Sequence, residues 1–189
     1  MKNYLLPLLV VFCIASCNNE NKDSVEKADS TNEVKEEQKP TVIQTDEATT
    51  EFLVKAADGG LTEIEAANMA AQKATNPAVK RFAEMMHHDH GNVGTEVKSL
   101  AAARNVTIPS SPSEKHQESI AKMSKKDSKD FDKDYMDWMV DDHQADIKLF
   151  EKAANDTKDE PVKAFINNTL PTLRAHLDSA KAIRKSLKG

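Results

Sequence analysis

Cysteine is almost absent from this chain, and its placement matters more than its number. The 2 cysteines among 189 residues are Cys13 and Cys17, so everything after Cys17 is free of thiols. A disulfide scaffold, a cysteine nucleophile and a cysteine metal site are thereby excluded from the body of the protein. Glycine is rare at 5 residues and aromatics reach only 5%, which disfavours strands and leaves Ala, Lys, Glu and Asp to set a helical composition. Basic excess is missing too. A net charge of −5 without a basic patch argues against a nucleic-acid partner. No Gly-x-Ser-x-Gly element, phosphate loop or dinucleotide fingerprint occurs, so nucleophilic hydrolysis has no support.

The first apolar run, Leu5 to Ile14, is interrupted by Pro7 and is too short to span a bilayer. With Lys2 before it and small residues after it, residues 1–16 read as a signal peptide. Its end, Ile14-Ala15-Ser16-Cys17, resembles the lipobox of bacterial lipoproteins. That resemblance implies cleavage before Cys17, a thioether to diacylglycerol on its sulfur, and acylation of the new amine. Several acyl chains on one residue make a stable membrane anchor where one would be marginal. Loss of Lys2 makes the mature chain one charge more negative. Asn18 stands where enteric bacteria use Asp to retain lipoproteins at the inner membrane, which favours the outer membrane. Residues 17–45 comprise the lipidated Cys and an expected disordered tether, polar and without aromatics. About 28 flexible residues would reach about 30 Å.

Residues 46–189 carry four amphipathic segments and a short extra one. Asp46 is the expected N-cap of a first helix reaching about Thr75, with Thr49 and Thr50 as competitors. Gly59-Gly60 is expected to weaken or kink it. Asn76-Pro77 opens a second helix to about Arg104, Asn76 capping and Pro77 in first position. On its wheel Phe82, Met85, Met86, Val93, Val97 and Leu100 form the apolar stripe, with Asp89 in the middle and His90 on the shoulder. Glu114 to Met123 is a short amphipathic helix in the long connection. A third helix over about Lys129–Ala154 places His143 among Met136, Met139, Ile147 and Phe150, with Tyr135 and Trp138 on a neighbouring face. A fourth, from Glu160-Pro161 to Leu187, puts His176 inside a Val162–Phe165–Ile166–Leu170–Leu173–Leu177 stripe, and Pro171 is expected to kink it. The pattern predicts an all-α, antiparallel four-helix bundle.

Phe82-Ala-Glu-Met-Met with Asp89-His90, Phe131-Asp-Lys-Asp-Tyr135 followed by His143, and Leu170-Pro171 followed by His176-Leu177 resemble the DUF4142 family, ferritin-like bacterial envelope proteins of no established reaction. The resemblance covers about Ala48 to Leu187. It implies export and a ferritin-like bundle.

Glu63, His90, His143 and His176 each fall within about one turn of their helix midpoints. With Asp89 they form an expected polar layer inside the bundle. Two readings stay open. In one, Glu63 and Asp89 answer protonated histidines in a buried network that fixes helix register, and the protein has a binding or structural role without catalysis. In the other, the same residues hold a single Zn, Fe, Cu or Ni ion in a redox or stress role. A ferritin-type di-iron centre is not expected. Glu84-Met-Met-His87 has the right text but faces away from the stripe, and Leu173 stands where a second Glu should be. His87, His88 and His116 read as solvated, and Met69, Met85, Met86, Met136 and Met139 as core filler. The expected partner is the membrane, through Cys17; other protein partners and homo-oligomerisation are left open.

Overall fold

The computed structural model describes residues 23–37 and 45–187. Its helices are α1 (Ser24–Glu37), α2 (Glu47–Lys73), α3 (Pro77–Ala103), α4 (Glu114–Ser124), α5 (Ser128–Asp156) and α6 (Glu160–Ser186). No strand occurs among the described residues, and no described helix is long and apolar enough to cross a membrane. The expected signal peptide and lipidated Cys17 lie outside the described residues.

Side-chain caps start the four long helices, each satisfying a backbone N–H that helix geometry leaves unpaired. Asp46 accepts from Thr49 N at 2.9 Å, Asn76 from Ala78 N at 2.8 Å, Asp127 from Asp130 N at 3.2 Å and Asp159 from Val162 N at 3.0 Å. At the far end of α3, Asn105 adopts a left-handed φ of 56°. Val106 N then donates to Ala101 O at 2.9 Å and Asn105 N to Ala102 O at 3.2 Å, the paired bonds of a Schellman ending.

Contacts between the helix ends fix the topology. α2 packs on α3 and α5, and α6 on α5 and α3. The turn after α2 meets the start of α5, where Asp132 accepts from Thr75 Oγ1 at 2.7 Å and from Asn76 N at 2.8 Å. At the opposite end the hydroxyls of Thr49 and Thr157 bond to each other. Arg104, closing α3, grips Asp159, opening α6, through Nε at 2.7 Å and a second guanidinium bond. Neighbouring helices are thus antiparallel, while α3 and α5 run the same way. The 104–127 connection must therefore traverse the bundle, carrying α4 along α2 and α5.

Asp132 is buried and serves the inter-helix turn with several bonds. Asp132→Ala would remove the charge-assisted bonds that tie Thr75 and Asn76 to α5 and should lower stability by about 2 kcal/mol. Urea denaturation would show this as a lower midpoint with unchanged slope.

Two apolar clusters fill the interior. One gathers around Phe82, Met86, Phe131, Tyr135, Met136 and Met139, the other around Phe52, Phe150, Phe165 and Ile166. Along α2 the layer between them falls between Ala57 and Ala66. On α3 it falls between Met86 and Val97, on α5 between Val140 and Phe150, and on α6 between Leu173 and Leu177. Glu63, His90, His143 and His176 occupy that layer.

Several expectations are corrected. The stretch expected to be a disordered tether over residues 17–45 contains α1. This helix is too polar to announce itself by periodicity, and docks instead by side-chain bonds to the backbone. Asn32 Nδ2 donates to Thr107 O at 2.9 Å and Asn32 Oδ1 accepts from Thr107 N at 2.7 Å. Ser24 Oγ donates to Ser111 O at 2.9 Å, and Ala28 is buried beneath. Gly59-Gly60 does not divide α2 into two pieces, and Pro171 lies inside α6 as expected. On α3 it is His90 that is buried, while Asp89 sits at the rim. The buried line runs Val79–Ala83–Met86–His90–Val97–Ala101, and its small alanines draw the true inward direction away from the larger side chains. Tyr135, expected on a face beside the apolar stripe, is fully buried against Phe131, its ring stacked at a centroid distance of 6.0 Å.

Candidate metal centre

Glu63 is 0% exposed, as is His143, and His90 and His176 are each 3% exposed. The three imidazoles form a triangle with ring centroids 5.6, 5.5 and 5.5 Å apart. One ring nitrogen of each lies within 4.8 Å of one from each of the others. Each ring has one nitrogen held from outside and one left bare. His143 Nδ1 faces the carbonyl of Met139, a turn back on its own helix, at 2.9 Å. His176 Nε2 faces Asp89 Oδ2 at 3.0 Å, and His90 Nδ1 lies 2.7 Å from Glu63 Oε2. The remaining nitrogens, His143 Nε2, His176 Nδ1 and His90 Nε2, are buried without a hydrogen-bond partner.

Glu63 adds to the imbalance. Its Oε1 lies 3.3 Å from His143 Nδ1, but that nitrogen bonds to Met139 O and leaves Oε1 without a hydrogen bond from the rings. Beside it stand two residues that the sequence pattern did not single out, Asp142 and Asp146, one turn apart on α5. A carboxylate oxygen from each of the three acids lies within 4.8 Å of the others. In a chain with 31 acidic residues, an i, i+4 aspartate pair reads as a solvated face. Their flanking of His143 was the one available signal.

Protonation follows from burial. Desolvation, aided by the charge of Asp142, pushes the Glu63 carboxyl well above the usual range. Asp146 is pushed well up by burial and by Glu63 and Asp142, and Asp142 is raised chiefly by burial. His143 is driven down to about 3 by burial, with His90 and His176 adding. Burial also lowers His90 and His176, against the pull of nearby aspartates. Buried acids favour the neutral form and buried imidazoles the unprotonated one. Glu63 and Asp89 do face the histidines, as expected, but burial lowers the pKa of all three rings and so favours their neutral form, in which a lone pair can bind.

Asp89 belongs to the rim. Burial alone would raise it, but His88 and His176 hold it below the usual carboxylate value. His88 Nδ1 lies 2.8 Å from its other oxygen. Glu84, His87 and His88 are exposed, as expected. His116 is not simply solvated. It is half-buried, its Nδ1 3.0 Å from Asp58 Oδ2, and that partner raises its pKa.

The family described as Domain of unknown function (DUF4142) matches residues 34–183. This chain belongs to the DUF4142 family. The match opens in the last turn of α1, so most of that helix precedes it. The crystal structure of a DUF305 fragment from Deinococcus radiodurans is similar, with a TM-score of 0.68 at 11% identity, over 76% of this chain and 99% of that one. Likeness at that identity speaks for the helical fold alone. No curated protein matches the chain.

Proposed function

We propose that this DUF4142 protein is a membrane-tethered metal-binding bundle of the bacterial envelope, holding a first-row transition ion on His90, His143 and His176. One observation carries the reading. Three buried, neutral imidazoles each have one nitrogen engaged and the other without a partner. Metal-bound histidines are oriented in this way, the outer nitrogen meeting a carboxylate or carbonyl. A self-sufficient hydrogen-bond network would not leave these atoms unsatisfied, since buried polar groups without partners are costly. Imidazole ligands suit Zn, Cu, Fe or Ni. Three protein ligands are one fewer than a closed tetrahedral site uses, leaving room for an exchangeable ligand.

The test is metal content. Full-length protein purified in detergent, without chelator or a His-tag, should retain about one equivalent of one such ion after dialysis. Chelator should then lower its melting temperature. Protein that retains no ion, with melting indifferent to chelator, would contradict the proposal and return the layer to a structural role.

The tether rests on Ile14-Ala15-Ser16-Cys17. Cys17→Ala should abolish incorporation of labelled fatty acid and cause uncleaved precursor to accumulate. A mature N-terminus elsewhere, without lipid, would contradict it. Asn18 favours the outer membrane as the destination.

A further inference from the structure

The imidazole triangle leaves the three carboxylates beside it unexplained. We infer that Glu63, Asp142 and Asp146 form a second cation site, taking a hard divalent ion such as Mn2+ or Mg2+ on oxygen ligands alone. A cluster of acids would not suffice for this, since acids gather on many surfaces. Here the cluster closes on Glu63, a fully buried side chain whose Oε2 turns to His90 and whose Oε1 has no hydrogen-bond partner outside the three acids. Asp142 Oδ2 is likewise buried without a partner outside the cluster. Among the described residues, none of the three is paired with a lysine or arginine, although 26 such cations are present in the sequence.

Donor chemistry separates this site from its neighbour. Carboxylate oxygens select hard ions, whereas imidazoles select borderline ones. Access differs as well. The imidazoles are sealed in the core, while Asp142 and Asp146 are partly exposed between α2 and α5, where α4 covers the face. Asp146 packs against the backbone of α2, its Oδ1 3.5 Å from where a Cβ on Gly59 would stand. A side chain there would touch that oxygen and cover part of it; glycine leaves it open.

The site shares Glu63 with the surroundings of the proposed imidazole centre but does not depend on that centre. The experiment uses full-length protein with Mn2+ as the probe, read by equilibrium dialysis and by the loss of the free-ion spin-resonance signal. It is run on metal-free protein and again after one equivalent of Zn2+ has been added. Wild type should take up one equivalent of Mn2+ in both states. The Asp142→Asn/Asp146→Asn variant should take up none, yet still bind Zn2+. Because this variant removes mutually repelling acids, it should fold, and its circular dichroism and its melting temperature under chelator check that it does. If wild type takes up no more Mn2+ than the variant, the inference is overturned. It is equally overturned if the protein binds one ion in total, lost alike in His143→Leu and in the double variant. Failure of Zn2+ binding with Mn2+ uptake intact would remove the imidazole reading alone.

Discussion

His143→Leu is expected to abolish transition-metal binding while leaving a folded bundle. His143 is the most completely enclosed of the three imidazoles, and burial holds its pKa far down. Removing it takes away one of three ligands, and affinity should collapse. Leucine is close in volume, and exchanging a buried polar group for an apolar one of similar shape can be nearly neutral. Metal at about 100 times its dissociation constant adds about 2.7 kcal/mol, which for a domain of this size is a rise in melting temperature of roughly 5–10 °C. Wild type should show that rise with Zn2+ and His143→Leu should not. A variant that still gains the full rise would place the ion elsewhere.

The second large effect appears when metal is removed and pH is lowered. His143 has a folded pKa of about 3 against an unfolded value of about 6.5. Between those values the unfolded chain binds a proton that the folded one refuses. Stability tied to His143 is therefore present above about pH 6.5 and is lost as pH falls toward about 3. At about pH 4 the loss is roughly 3 kcal/mol. Glu63, Asp142 and Asp146 act in the opposite sense. Their folded pKa values are raised, so protonated acids favour the fold at low pH and this stability is lost as pH rises through the folded values. The raw curve mixes the two, but comparison with His143→Leu isolates the histidine. Under chelator, the variant should gain on wild type by roughly 3 kcal/mol between about pH 7 and pH 4 in urea denaturation. Parallel curves would mean that His143 is not held neutral.

Much of the fold was legible in the sequence because helix periodicity reports large apolar side chains. Val162, Phe165, Ile166, Leu170 and Leu173 all lie buried on α6 as the wheel places them. His143 and His176 betrayed themselves by interrupting such stripes, whereas His90 stood only on the shoulder of one. The same logic failed where the stripe was built of small residues. On α3, Ala83 and Ala101 turn the buried line so that His90, rather than Asp89, enters the core. It failed again for α1, whose docking depends on Asn32 and Ser24 reaching the backbone of the 104–113 loop. Asp142 and Asp146 were hidden by abundance. An aspartate pair on a charged helix looks like solvent-facing surface until the fold brings Glu63 against it.

Everything proposed for the core turns on three imidazoles sharing one ion. X-ray absorption at the zinc edge, on full-length protein given one equivalent of Zn2+, measures this directly. The expected spectrum has its nearest ligand atoms at about 2.0–2.1 Å and, further out, the scattering of three imidazole rings. Oxygen ligands alone, or scattering from one ring or none, would contradict it.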